Sequence, residues 1–280
     1  MCLIVFAYNA HPSYHLIMAA NRDEFYERPS SPADFWEDAP QILGGRDLRE
    51  GGTWLGITRE GKFAAITNYR DPAAFKINAQ SRGKLVRDFL CGDQSVDKYV
   101  ENISQQSDKY NGYNLILGDN DKLYVFSNRG KKQKLGAGIY GLSNHLLDTS
   151  WPKVRKAKKE LKKALNEKGV ALEDALFAIL SSRHVAPNDK LPATGVGREW
   201  ERLLSPIFIK SPNYGTRSST ILLLGKNKRV KFVEKVFDEK SELWLTSRFS
   251  FIIEKEKLNG TGIGQSLSPD AASRRGSDNR

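Results

Sequence analysis

The sequence is short of the residues that staple small folds or hold metals. Its 280 residues include two cysteines, two methionines and four histidines. Cys2 and Cys91 allow at most one bridge, which argues against a disulfide-built secreted scaffold and fits a reducing compartment. There is no zinc-type spacing, no recognition-helix pattern and no aromatic RNA-binding signature, so nucleic acid is not an expected partner. The first apolar run, Leu3 to Tyr8, is far too short to cross a bilayer, and no basic segment precedes it as in a signal peptide. The expectation is a soluble cytoplasmic protein with no required metal or cofactor. No internal repeat is visible.

What is present is an ordinary globular composition, 39% hydrophobic and 10% aromatic. The length suits one large domain or two small ones, with a core that needs no staple. The formal net charge is +11, and much of it lies between Lys153 and Lys168. That stretch reads as the solvated face of a helix. Its alternative reading is attraction to a phosphate- or carboxylate-bearing ligand or a lipid surface, which makes helix 153–168 the candidate for peripheral membrane contact.

LIVFAY and YHLIMAA, separated by the turn formers Asn9, Pro12 and Ser13, read as a hairpin. The Pro-rich segment ERPSSPADFWEDAP reads as an irregular loop. GGTWLGIT and GKFAAITN form a second strand pair, and NLILG and KLYVFSN a third. GIYGLSN is a further strand. RGKLVRDFL and SVDKYVENI place apolar residues three to four apart, the helical period. Two more helices are expected over Trp151–Lys168 and Leu172–Leu180, followed by a loop from Ser181 to Glu201. PIFIK, SSTILLLG, RVKFVEKVF and ELWLTSRFSFII read as strands. The polar tail 257–280 reads as disordered, leaving one domain over 1–256. Strands in blocks with helices bunched between them point to an α+β fold of mainly antiparallel sheets. Roughly ten strands exceed one comfortable sheet, so two stacked sheets are expected.

Cys2 stands directly behind the initiator methionine. Removal of Met1 would place an α-amino group, with a reference pKa of roughly 7.7–8.0, on the same residue as a thiol. A thiol needs such a base to act as a nucleophile. A free cysteine heading a buried strand is equally a small apolar residue. At the end of the second strand, Asn21, Arg22, Asp23 and Glu24 form a dense polar group. Strand alternation sends Asn21 and Asp23 one way and Arg22 and Glu24 the other. Asn68 and Asn144 each follow an apolar strand, where a carboxamide can donate to an oxyanion or serve a turn. Arg217, at the mouth of SSTILLLG, suits a carboxylate or phosphate, or a local ion pair.

Seven blocks in order, MCLIVF, AANRDEFYERP, EGGTWLGIT, AITNYRDP, YNGYNLIL, YGLSN and YGTRSST, resemble the NRDE family, which includes the transport and Golgi organization protein 2 homologues. That family in turn resembles N-terminal nucleophile hydrolases of the choloylglycine hydrolase and penicillin V acylase type. The resemblance implies a four-layer αββα sandwich of two mainly antiparallel sheets. It implies Cys2 as nucleophile, with Asp23, Asn68 and Asn144 as catalytic partners. It implies Asn21, Arg22, Glu24 and Arg217 as ligand-binding residues. In those hydrolases the arginine and aspartate are separated by two residues, whereas Arg22 and Asp23 are adjacent, so a regular strand turns only one of them toward Cys2.

The resemblance also implies a role, through haem trafficking and acyl-coenzyme A or lipid handling. The first reading is therefore a carrier of haem or acyl-coenzyme A in a Cys2-centred pocket. The alternative is a hydrolase or acyltransferase acting on an amide or thioester. Haem ligands would come from Cys2, His11, His15, His145 and His184, none of which has a haem-attachment spacing.

Overall fold

The computed structural model describes residues 2–238 and 243–254; Met1 and the tail 257–280 lie outside the described residues. Two sheets are stacked, and every strand pair within them is antiparallel. The strands of the first sheet are β1 (Cys2–Tyr8), β2 (Tyr14–Phe25), β10 (Gly138–Leu142), β11 (Tyr214–Gly225), β12 (Arg229–Phe237) and β13 (Trp244–Ile252). Their order is β10-β1-β2-β11-β12-β13. The second sheet runs from β3 (Ser30–Phe35) through β4 (Ile42–Asp47), β5 (Leu55–Thr58), β6 (Phe63–Asn68), β7 (Tyr113–Gly118) and β8 (Leu123–Ser127) to β9 (Gln133–Lys134).

The expected four layers are present. Even-numbered residues of β1 such as Ile4 and Phe6 point inward and meet Leu55, Phe63 and Ile116 of the second sheet. Odd-numbered Leu3 and Val5 point outward onto α3 (Pro152–Ala164) and α4 (Gly169–Leu180), through Val154, Leu161 and Leu176. The outer face of the second sheet is covered by α1 (Gly83–Cys91) and α2 (Val96–Ser104), through Val86, Phe89 and Val100. Strands buried on both faces have no reason to alternate with polar residues, which is why LIVFAY and LIMAA are continuous apolar runs. No described helix is long and apolar enough to cross a membrane.

Three local expectations need correction. The Pro-rich loop holds β3, because β3 is an edge strand and Pro32 falls at its bulge between Ser31 and Asp34, where a missing N–H costs no ladder bond. PIFIK is not a strand: the Phe208 N–H donates to the Ser182 carbonyl and the Ile209 N–H to the Thr216 hydroxyl, and its contact with β11 is limited to the Thr216 N–H on the Ile209 carbonyl and an isolated bridge between Lys210 and Gly215. The loop over 181–201 contains the start of a short helix, α5 (Arg198–Leu203), entered through Gly197 at φ 85°. The basic helix α3 does present Arg155, Lys159, Lys162 and Lys163 to solvent, but Lys153 is buried.

The helix layer is pinned to the first sheet by Glu173 of α4. Its buried carboxylate takes bonds from Lys231 of β12 and Arg248 of β13. Burial alone would raise its pKa, but these two cations hold it below the usual carboxylate value. A depressed folded pKa gives stability that is present above the ordinary carboxylate range and is lost as pH falls through the folded value. Glu173→Gln is expected to cost about 1–2 kcal/mol at neutral pH, since both cations are partly solvated. Urea titrations of the two proteins should show this gap closing below about pH 4.

A second packing constraint sits beside the site. A Cβ at Gly52 would lie 2.5 Å from the Gly83 carbonyl carbon, at the start of α1. Gly52→Ala should therefore push the helix start outward and lower the melting temperature, at a cost of about 1–3 kcal/mol.

Candidate functional site

The site is built where β1 begins and β2 ends. Antiparallel pairing places Cys2 directly opposite Arg22. Both follow the inward-facing phase of their strands, so Arg22 lies between the two sheets, 5% exposed. Its guanidinium stacks over the Trp54 ring at 4.4 Å, and one terminal nitrogen is 4.0 Å from the Asp47 carboxylate. That carboxylate is already held by Arg28 at 2.6 Å. The other terminal nitrogen of Arg22 is buried with no hydrogen-bond partner. A buried guanidinium with an unmatched donor is a ready receiver for an anionic group.

Asn21 and Asp23 face the helix layer. The Asn21 carboxamide donates to the Leu180 and Ile207 carbonyls, both at 2.9 Å, and accepts from the Ser219 hydroxyl at 2.7 Å. Both amide hydrogens of Asn21 are thus used at the end of α4 and the segment before β11. Asp23 accepts from the Thr216 hydroxyl at 2.7 Å. Burial pushes the Asp23 carboxyl up, while the Lys153 ammonium and the Thr216 bond pull it back. Burial in turn pushes the Lys153 amine down to about 8, with Asp23 opposing. Lys153 donates to the Leu204 carbonyl at 3.0 Å. Behind it lies a buried ion pair between Arg70 and Glu201, with Arg70 over the Trp151 ring at 4.9 Å.

The third wall joins the two sheets. The Ser143 hydroxyl donates to the Cys2 carbonyl at 3.0 Å, and the Ser143 carbonyl accepts from Thr67 of β6 at 2.7 Å. Asn144 donates to the Asn68 carbonyl at 2.9 Å, and the Arg70 N–H donates to the Asn144 carbonyl at 2.7 Å. Next to this pair, Tyr69 and His145 are joined at 2.9 Å through Nε2. The Thr149 hydroxyl uses its one hydrogen on the Leu146 carbonyl, so it accepts from Nδ1 of His145. That pattern assigns the hydrogen to Nδ1 and makes Nε2 the acceptor of the Tyr69 hydroxyl. Burial also pushes the His145 pKa down, which favours this neutral form.

Cys2 keeps partial exposure, yet burial pushes its thiol above the ordinary value, with the Asp23 charge adding to the rise and Arg22 opposing it. Arg217 is the extra residue of a bulge in β11 between Thr216, opposite Asp23, and Ser218, opposite Arg22. Its guanidinium donates to the Phe25, Tyr26 and Arg28 carbonyls, so it shapes the turn after β2 and adds positive charge near Arg22. Glu24 accepts from the Phe25 N–H at 2.9 Å, and its charge acts on Arg22 and Arg82.

Arg82 is a site residue that the sequence did not mark. It precedes α1, donates to the Gly112 carbonyl at 3.0 Å, and lies within electrostatic reach of Cys2 and Glu24. Lys153, Trp54 and Tyr214 were equally unmarked, because nothing in a helix face, a loop tryptophan or a strand-opening tyrosine distinguishes them from packing residues. Among the histidines, His11 and His15 sit at the far end of the β1–β2 hairpin, roughly 20 Å of strand away from Cys2. His184 is exposed in the loop after α4, and both ring nitrogens of His145 are engaged. No group of three or more His, Cys, Asp or Glu residues suited to a metal occurs among the described residues.

Comparison with known proteins follows this geometry. The Caenorhabditis elegans N-acylethanolamine-hydrolyzing acid amidase ortholog overlays with a TM-score of 0.48 at 14% identity, covering 79% of this chain and 92% of that one. A C2A mutant of conjugated bile acid hydrolase from Clostridium perfringens overlays with a TM-score of 0.46 at 9% identity, covering 93% and 94%. In sequence, the Bos taurus Transport and Golgi organization protein 2 homolog is 38% identical over 91% of this chain and 100% of its own length. The Homo sapiens homolog is 36% identical with the same coverage, and the Drosophila melanogaster protein is 29% identical over 84% and 92%. The family model described as Transport and Golgi organisation 2 matches residues 1–239, and the chain belongs to that family.

Proposed function

We propose that the Cys2 pocket performs cysteine acyl transfer on an amide or thioester that carries an anionic group. The observation that carries this reading is Cys2 opposite a buried arginine with an unmatched donor, beside the joined Asn68–Asn144 pair. Loss of Met1 gives Cys2 an α-amine that titrates near neutral pH. The amine takes the thiol proton, and the thiolate forms an S–C bond to the substrate carbonyl as the C=O electron pair moves to oxygen. Asn68 and the second amide hydrogen of Asn144 donate to that oxyanion. Collapse expels the amine or thiol leaving group, which takes the proton from the α-ammonium. Water then attacks the thioacyl group with the amine again as base, releasing a carboxylate and restoring the thiol. Asp23 holds the ammonium form, and Arg22 pairs with the anionic end, with Arg82 and Arg217 adding to the positive field.

A second reading keeps the pocket and drops the turnover: a carrier of haem or acyl-coenzyme A. What favours it is the burial that pushes the Cys2 thiol above its ordinary value, which leaves the sulfur protonated and unreactive beside a ligand held by Arg22.

The two readings part on a direct measurement. Intact mass should show loss of Met1, and in a Cys91→Ser background, which removes the exposed thiol, an acyl electrophile should add once, at Cys2. Cys2→Ala should abolish that adduct. Retention of Met1 in protein that turns over a thioester, or turnover unchanged in Cys2→Ala, would sink the acyl-transfer proposal. A saturable ferric-haem absorption change that disappears in Cys2→Ala, with no turnover of any acyl amide or thioester, would establish the carrier.

Asn144→Ala separates binding from chemistry. It should lower kcat about 10²–10³-fold with KM little changed, as expected for a donor used at the oxyanion. An equal rise in KM with kcat intact would assign Asn144 to ground-state binding instead.

A further inference from the structure

A cleft of about 330 Å3 opens on the helix side of the first sheet, lined by Phe25, Glu199, Trp200, Leu203, Tyr214 and the 211–213 turn. Three aromatic rings meet there. Phe25 and Tyr214 are directly paired across β2 and β11, with ring centroids 5.1 Å apart and planes at 77°. Trp200, on α5, stands 6.2 Å from Tyr214 at 74°. Each outer ring is thus nearly perpendicular to a shared central one. Phe25 and Trp200 are 46% and 45% exposed, whereas Tyr214 is buried. Phe25 and Trp200 thus keep nearly half of their surface uncovered at the cleft, apolar area that a ligand would bury.

The charges around the cleft select the ligand. In a chain with a net charge of +11, the single charged residue lining the cleft is an acid, Glu199. The carboxyl groups of Asp23 and Glu24 lie within electrostatic reach of the Tyr214 hydroxyl. The opposing cation, Arg70, is paired with Glu201. A carboxylate or phosphate ligand is disfavoured here. Perpendicular ring faces carry the negative end of the aromatic quadrupole, and a carboxylate at the rim adds to it.

We propose that Phe25, Trp200, Tyr214 and Glu199 form a binding site for an alkylated ammonium group, a trimethylammonium head being the type. The rings cover the methyl groups and Glu199 balances the charge. A plain acyl chain would use the apolar walls but would gain nothing from the acid or from the ring orientation. The site does not rest on the chemistry proposed for Cys2.

Choline with carbon-13-labelled methyl groups, titrated into the full chain, tests this, with dimethylbutanol as the neutral isostere. Choline methyl signals should move upfield saturably as the ring faces cover them. Dimethylbutanol should bind at least about tenfold more weakly, because the cation–π part is absent. Glu199→Gln should weaken choline severalfold, and Trp200→Leu should abolish the upfield shift, with melting transitions confirming that both variants fold. Because Glu199 is exposed, its variant keeps the test decisive if Trp200→Leu does not fold. Dimethylbutanol binding as well as choline would overturn the proposal and make the cleft an apolar slot. Absence of any saturable shift, or choline binding unchanged in Glu199→Gln, would overturn it as well.

Discussion

Strand alternation at the end of β2 governs everything placed around Cys2. Because successive residues face opposite ways, Arg22 enters the space between the sheets while Asp23 enters the space under the helices. The first residue of β1 lies across from this division. Cys2 therefore shares the inner compartment with Arg22, while Asp23 and Lys153 lie together under the helices, and burial shifts the ionisable groups on both sides. Neither compartment is made by a loop. Both are consequences of two neighbouring strands that are buried on both faces.

Part of the cost of this arrangement is met by hydrogen bonds among the buried groups themselves. Asn21 closes the end of α4, Thr216 relays between Ile209 and Asp23, and Ser143 links Cys2 to the seam between the sheets. Polar groups in a low-dielectric interior are expensive unless matched. The unmatched nitrogen of Arg22 is one of several points where the network stops short of completing itself, with Arg217 Nε and Ser218 Oγ on the neighbouring strand.

How much of this was legible follows from which signals are local. Strand blocks and helical period fixed the layered fold, because a two-sided sheet writes itself as uninterrupted apolar runs. The polar group at 21–24 and the strand-end asparagines 68 and 144 were visible because polar residues interrupt those runs. Arg82 and Lys153 were not, since Lys153 is one of many cations in a stretch read as a solvated face, Arg82 stands in a short basic segment, and each reaches the site through helix placement alone. β3 was hidden by Pro32, whose usual meaning as a breaker fails at an edge bulge. The proposed ammonium site could not be foreseen either: Phe25, Trp200 and Tyr214 come from three separate segments, and only the tertiary fold crosses their rings.

The bulge at Arg217 has a consequence for how this chain tolerates change. One surplus residue is absorbed in β11 without changing the ladder around it: Thr216 stays opposite Asp23 and Ser218, two positions on, stays opposite Arg22. Removing Arg217 would make Thr216 and Ser218 consecutive, and a regular ladder would still set Thr216 against Asp23 and Ser218 against Arg22. What would be lost is the guanidinium that holds the Phe25, Tyr26 and Arg28 carbonyls. The bulge thus seats an arginine at the mouth of the strand while leaving the faces of its neighbours as they are.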